Sequence, residues 1–118
     1  NTATLLTKTD LEYMIDSSAN RLFIARRIHN KEIIGMLTLI IFRTPFAKKG
    51  LLEDLVVDKI HRGKGVGTKL ITTAIKKARE EGAVYLDFTS RPTRVEANKL
   101  YQHLGFKKRN TNIYRILL

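Results

Sequence analysis

The residue types best suited to chemistry stand together in one short basic stretch, where glycine occupies every second position at 63, 65 and 67. Glycines let a backbone approach a ligand closely. An amphipathic run follows from Val66, and the first turn of a helix offers unpaired N–H groups and the positive end of the helix dipole. Arg62, Lys64 and Lys69 add positive charge. The stretch therefore predicts a binding site for a pyrophosphate.

This glycine loop differs from two well-known nucleotide-binding loops. It lacks the Gly-Lys-Ser/Thr ending of a Walker A loop, and its glycines do not have the spacing G-x-G-x-x-G. A flexible turn with solvated basic residues would explain the glycines alone. An apolar strand before the loop, positive charge within it and a helix after it together favour anion binding.

Two neighbouring carboxylates, Glu53 and Asp54, stand on the apolar strand that leads into the loop. Strand alternation places Glu53 on the face of Leu55 and Val57, and Asp54 on the opposite face. A carboxylate buried in an apolar row is a better proton acceptor, so Glu53 is a candidate general base, while Asp54 can bind a substrate ammonium group. A β-bulge would swap the two faces. An ion pair with a nearby Arg or Lys explains either residue equally well.

The elements that must position these residues follow the order α-β-β-β-α-β-α-β-β. Runs rich in β-branched and aromatic residues predict the strands, which lie at 21–28, 32–42, 51–58, 83–90, 106–109 and 113–118. The first two and the last two are predicted hairpins. A crossover through a helix makes the third and fourth strands parallel. The sheet is therefore mixed, and the predicted fold class is α/β.

Three helices are predicted from capping residues and from the spacing of apolar residues. Thr9 or Asp10 is the predicted cap of the first helix, and Gly82 the stop signal of the second. Proline suits the first turn of the third helix, which Gly105 ends. The predicted bounds are about 10–18, 66–81 and 92–104.

The loop resembles the R/Q-x-x-G-x-G/A motif of the GNAT superfamily of acetyl-CoA-dependent N-acetyltransferases, here Arg62-x-x-Gly65-x-Gly67. The resemblance extends to the preceding strand LEDLVVD and to the later segment that runs from Asn98 to Leu104-Gly105-Phe106. It covers roughly residues 20–118. It implies a mostly antiparallel mixed sheet, flanked by helices, in which a parallel strand pair splays apart around acetyl-CoA.

The resemblance also implies roles for individual residues. Main-chain groups of Leu55, Val56 and Val57 would pair with the pantetheine arm like an added strand. Asn98 would contact the pantetheine, and Tyr101 would lie at the thioester sulfur. The pyrophosphate would be held by backbone N–H groups of Arg62, Gly63, Lys64, Gly65, Val66, Gly67 and Thr68. Independently of the family, Asn98 and Tyr101 are three apart on one helix and can face the same ligand. Packing in the core is the alternative role for Tyr101.

Length and composition limit the possible classes of protein. The 118 residues are 43% apolar, which predicts one globular domain spanning residues 1–118. No apolar run approaches the roughly 20 residues of a membrane helix, and three scattered histidines without cysteine predict no metal site. The lack of cysteine fits a cytoplasmic protein. Residues 60–118 hold 13 basic and 4 acidic side chains, a charge of +9 that attracts anions.

The predicted function is transfer of an acetyl group from acetyl-CoA to a primary amine, by direct attack in a ternary complex. A basic nucleic-acid-binding domain is one alternative, although no helix-turn-helix or zinc-finger pattern supports it. A CoA-binding module without catalysis is another. The family usually has a strand and two helices before the first hairpin, whereas this sequence has room there for one helix and the short segment at residues 1–6. A homodimer that completes this side is therefore a further expectation.

Overall fold

In the computed structural model, which describes residues 6–118, the elements follow the order α1-β1-β2-β3-α2-β4-α3. Their bounds are Lys8–Asp16 (α1), Asn20–Arg26 (β1), Ile33–Arg43 (β2), Lys48–Val57 (β3), Val66–Glu80 (α2), Leu86–Asp87 (β4) and Val95–His103 (α3), with a 3₁₀ turn at Lys59–His61. The chain clusters into two units, one that ends at Phe88 and one spanning Thr89–Leu118. The single domain at 1–118 stays a prediction.

The four strands form one sheet in the order β1-β2-β3-β4. The first three are antiparallel neighbours, whereas β3 and β4 are parallel. This confirms the predicted mixed, mostly antiparallel α/β sheet. The parallel pairing is short: Gly50 pairs with Leu86 and Leu51 with Asp87, and a hydrogen bond from the Val84 N–H to the Lys48 carbonyl precedes them. Beyond Leu51, β3 and β4 are no longer paired in the described part of the chain.

A β-bulge interrupts β3 where the two parallel strands part. Met36 of β2 faces Val56, but Thr38 faces Glu53. Between these two pairs, β3 therefore contains one residue more than β2. Asp54 has a φ of 54°, in the left-handed region that Asp tolerates better than most residues. The extra residue places Leu55 on the same face as Leu52 rather than Glu53. Of the two arrangements left open by the sequence, the bulged one is therefore present.

Helix α2 covers the apolar face of the sheet. Its buried residues repeat the spacing expected from the sequence, and they meet buried side chains of β2 and β3; the buried set is Leu37, Leu39, Ile41, Leu52, Leu70, Ile71, Ala74 and Ala78. The approach is closest at Gly35, where an added Cβ would lie 3.1 Å from both Leu70 Cδ1 and Val66 Cγ1. The absence of a side chain at Gly35 lets the first turns of α2 pack directly on β2.

The second helix ends where the sequence predicts. Gly82 has a φ of 84°, the Ala83 N–H donates to the Ala78 carbonyl at 3.0 Å, and the Gly82 N–H donates to Arg79 at 3.1 Å. These two hydrogen bonds are the Schellman arrangement, which glycine favours because it adopts positive φ without steric cost. A second such ending follows α3 at Gly105, whose φ is 102°.

Several predicted boundaries are wrong by a few residues. Thr7, not Thr9 or Asp10, caps α1; Asp10 instead completes a capping box by accepting from the Thr7 backbone. Helix α3 begins at Val95, because Pro92 lies in a turn closed by a hydrogen bond from Arg94 N–H to the Arg91 carbonyl. The fourth strand has two residues rather than 83–90. The predicted segment at 1–6 lies mostly outside the described residues.

The predicted C-terminal hairpin at 106–109 and 113–118 is absent. Within the described residues, the segment after α3 contains neither helix nor strand. Its apolar side chains beyond residue 112 are all at least 72% exposed; they are Ile113, Tyr114, Ile116, Leu117 and Leu118. Strand-like composition reflects the ability to pack on a pleated surface. It does not supply the neighbouring strand that backbone pairing requires.

One ion pair joins β1 to the end of α2. Arg21 contacts Glu81 through two side-chain hydrogen bonds, Nε to Oε2 at 2.9 Å and Nη2 to Oε1 at 2.6 Å. About a quarter of each side chain is exposed, 27% and 22%. The hydrogen bonds from Arg21 lower the pKa of Glu81 below its ordinary value. The pair therefore stabilises the folded state while Glu81 is ionised.

We predict that Glu81→Gln lowers the free energy of unfolding at pH 7 by about 1 kcal/mol, in the range for a partly exposed pair with two hydrogen bonds. Because the folded pKa of Glu81 is lowered, the difference from wild type should persist above its unfolded pKa. It should vanish as the pH falls through the folded pKa. Urea denaturation over this pH range measures both effects. The exposed neighbour provides the control, since Glu80→Gln should change little at any pH.

Candidate functional site

The connection between β3 and α2 places backbone donors at the end of the sheet. Gly63 and Gly65 have φ angles of 74° and 83°, and no atom lies within 4 Å of where a Cβ would stand on either. Gly65 is the N-cap of α2 and supplies no capping side chain. The first helical hydrogen bond runs from the Lys69 N–H to the Gly65 carbonyl at 3.0 Å. The N–H groups of residues 66–68 therefore have no acceptor within the helix.

The charge around this helix start is positive. Arg62, Lys64 and Lys69 are all exposed, and the first turn of α2 contains no acidic residue. The helix dipole adds a partial positive charge at the same place. An anion that reaches the turn meets unpaired N–H groups, the dipole and three cationic side chains together. These are the features that favour an anion at the start of a helix, and the pyrophosphate site at residues 62–68 stays a prediction.

Two polar contacts, which the sequence analysis missed, hold this connection. Nε of Arg62 donates to the Val57 carbonyl at 3.0 Å, and Nδ1 of His61 lies 2.9 Å from Oδ2 of Asp58. Only 13% of the His61 side chain is exposed. The i,i+3 spacing of Asp58 and His61 was the one feature of the sequence that could have indicated their contact. Spacing alone does not show that a turn brings the two side chains together.

The free part of β3 lies beside this turn. On one side, Val56 and Val57 face Met36 and Gly35 of β2. On the other side, pairing with β4 has already ended at Leu51. An extended ligand can therefore approach the main chain of 55–57 as an additional strand would.

The two candidate carboxylates flank the bulge. Glu53 and Asp54 are both exposed, and neither forms an ion pair with another described residue. The bulge leaves Glu53 on the face of Leu51 and Val56. Burial in an apolar row, the condition for a more basic Glu53, is therefore not met. The roles of Glu53 as base and Asp54 as ammonium ligand stay predictions.

The remaining two site candidates lie in the unit Thr89–Leu118. The side-chain amide of Asn98 donates from Nδ2 to the Arg91 carbonyl at 2.9 Å, which fixes the turn before α3. Tyr101 is 7% exposed. Its burial suits the packing role that the sequence left open, and its role as a proton donor stays a prediction.

Two further features concern ions and membranes. In the part of the chain that the structure describes, no group of three or more His, Asp or Glu side chains is placed to hold a metal ion. Over residues 6–118, none of the helices has both the length and the apolar character needed to cross a bilayer. The cytoplasmic location and the homodimer stay predictions.

A mixed sheet whose parallel strands part beside a glycine-rich helix start is the arrangement expected from the resemblance to the GNAT superfamily. The sequence model of the acetyltransferase (GNAT) family matches residues 3–106. The chain therefore belongs to the GNAT family, whose members are acyltransferases that use acetyl-CoA as cosubstrate.

The individual proteins that this chain resembles are also N-acetyltransferases. Human N-acetyltransferase 8B is 33% identical over 69 residues, which are 58% of this chain and 30% of that protein. Aminoalkylphosphonate N-acetyltransferase of Salmonella typhimurium is 30% identical over 83 residues, 69% of this chain and 54% of that protein. This chain thus spans about half or less of these curated relatives. The structure of glucosamine-6-phosphate N-acetyltransferase from Arabidopsis thaliana shares the fold, with a TM-score of 0.83 at 17% identity over 98% of this chain and 82% of that one.

Proposed function

We propose that this chain binds acetyl-CoA at the β3–α2 connection and transfers its acetyl group to a primary amine by direct attack in a ternary complex. The observation that carries the proposal is the start of α2, which has no capping side chain and follows two glycines with positive φ. This start lies next to the stretch of β3 that β4 leaves unpaired. The helix start is suited to a pyrophosphate, and the unpaired stretch of β3 is suited to an extended arm that carries amide groups.

The cofactor contacts follow from this arrangement. Backbone N–H groups of residues 62–68 hold the pyrophosphate, with Lys64 and Lys69 supplying charge. The main chain of Leu55, Val56 and Val57 binds the pantetheine arm as an added strand does. Asn98 contacts the pantetheine, and Tyr101 lies at the thioester sulfur. When bound, acetyl-CoA supplies an activated acyl group on a good leaving thiolate.

The chain's own contribution is to position the amine, remove its proton and stabilise the departing thiolate. The amine must be neutral to attack, so Glu53, directly or through water, accepts its proton, and Asp54 binds the incoming ammonium form. The new N–C bond forms as the C–S bond breaks. Backbone N–H groups polarise the carbonyl. Tyr101 donates a proton to the sulfur as it leaves, and the second proton, which the nitrogen loses on becoming an amide, restores the tyrosine.

The acceptor is proposed to be a small amine that carries a negative charge. The charge of +9 in residues 60–118 favours anions over polycationic amines. Arg91 and Arg94 are exposed just before α3 and suit a phosphate or phosphonate group. The Salmonella typhimurium relative is named for an aminoalkylphosphonate substrate.

Thiol release from acetyl-CoA, measured with cationic, neutral and phosphonate-bearing amines, tests the activity. We expect turnover to be fastest with the phosphonate-bearing amines. Binding of acetyl-CoA without thiol release from any amine would instead support a non-catalytic module. Tight, steeply salt-dependent binding of DNA with no acetyl-CoA affinity would support the nucleic-acid alternative.

The glycine loop should govern cofactor affinity. Gly65→Val places a branched side chain on a residue whose φ is 83°, where backbone must meet phosphate. We expect the Kd for acetyl-CoA, measured by calorimetry, to rise at least tenfold, about 1.4 kcal/mol. Gly82→Val is the matched control, because its φ of 84° imposes similar strain at the opposite end of the same helix. Equal affinities in the two variants would contradict the assignment of the loop.

If Tyr101 donates the proton to the leaving sulfur, removal of its hydroxyl should lower kcat. Tyr101→Phe keeps the buried ring and removes only the hydroxyl, so folding and acetyl-CoA affinity should be nearly unchanged. Loss of a positioned acid should lower kcat by about 10²–10⁴-fold. Steady-state thiol release across neutral pH measures the effect. A Phe variant with the wild-type kcat would leave Tyr101 as a packing residue.

A further inference from the structure

The backbone that leads into the proposed cofactor site has little apolar support. None of the residues in the 3₁₀ turn Lys59–His61 is buried, and Ile60 is 77% exposed. A turn without buried apolar side chains depends on its polar contacts for a defined conformation. These contacts come from Asp58, His61 and Arg62.

Asp58 and His61 close the turn at its two ends. Besides the side-chain contact of 2.9 Å, the His61 N–H donates to the Asp58 carbonyl at 2.8 Å. The Asp58 N–H donates to the Ile34 carbonyl at 2.7 Å, which fixes the turn to the region where β2 begins. The covered His61 ring therefore links the turn, through Asp58, to the sheet.

Arg62 supplies the second link. Its Nε joins the first residue of the loop to the carbonyl of Val57, the last residue of β3. After Arg62, Gly63 and Gly65 have no side chains that could fix the loop, and an added Cβ on either would meet no atom within 4 Å. The direction in which the loop leaves the strand is thus set before the first glycine.

We infer that Asp58, His61 and Arg62 are positioning residues for cofactor binding, a role that rests on the proposed function. They hold the backbone of 62–68 so that its N–H groups converge before the ligand arrives. Preorganised donors need no ordering on binding, so affinity is gained without change to the chemical step. Loss of these contacts should raise the KM for acetyl-CoA and leave kcat and the KM for the amine nearly unchanged.

Side-chain substitutions distinguish this positioning role from a purely electrostatic attraction between these residues and the cofactor. His61→Phe keeps a ring of similar size but removes the contact with Asp58, and Arg62→Lys keeps the charge but removes Nε. Each should raise the Kd for acetyl-CoA about tenfold. Asp58→Asn retains a side-chain oxygen that can accept from the ring Nδ1–H of His61, and its Kd should stay within about threefold of wild type. The control is His29→Phe, an exposed residue in the β1–β2 connection, which should bind as wild type does.

Amide hydrogen exchange in the free protein gives a readout that needs no cofactor. In His61→Phe, the amides of Asp58 and Lys69 should exchange at least threefold faster, because the Asp58 N–H and the Gly65 carbonyl to which Lys69 donates belong to the backbone that these contacts hold. The amide of Ala74, in the middle of α2, should be unchanged; faster exchange there as well would indicate general destabilisation and overturn the positioning role.

The two proposals fail in different ways. Wild-type protein that does not bind acetyl-CoA overturns the proposed function, and the positioning role for that cofactor falls with it. Wild-type protein that binds, together with a His61→Phe variant of equal Kd and equal exchange, overturns the positioning role alone.

Discussion

The packing of α2 on β2 at Gly35 is the constraint on which the rest of the structure depends. Because Gly35 has no side chain, Val66 and Leu70 approach the backbone of β2 to contact distance. Val66 is also the first residue of α2. The contact that completes the core therefore also fixes the helix start beside the end of β3. A larger residue at Gly35 would move the donors of the helix start away from the strand.

The bulge at Asp54 divides β3 into two parts that differ in their pairing. Before it, the strand pairs on both sides and carries the buried Leu52. After it, Leu55 and Val57 face α2, while the opposite edge of the strand has no partner in the described sheet. One left-handed residue thus keeps Leu52, Leu55 and Val57 on the core face, while backbone groups on the free edge of the same strand stay unpaired within the described sheet.

Local signals in the sequence predicted much of this arrangement. Glycine at 65 and 82, and apolar residues at 70, 74 and 78, determine α2 almost alone, because helix ends and helix faces depend on neighbours within four residues. The predictions of a long fourth strand and of a C-terminal hairpin were wrong, because strand pairing depends on partners that are distant in the sequence.

The candidate site shows the same limit. The glycine loop is a local feature of the sequence, and the structure places it at the start of α2, whereas its role in cofactor binding stays a prediction. The contacts of His61 with Asp58 and of Arg62 with Val57 were missed, because they exist only once the chain turns after β3. The two ends of α2 also differ in a way that has a consequence for the whole domain. The far end is fixed by Gly82 and by the contact of Glu81 with Arg21, whereas the near end lacks any capping side chain. An anion bound at the near end would take the place of that missing cap, and its binding would then be thermodynamically linked to the stability of the central helix.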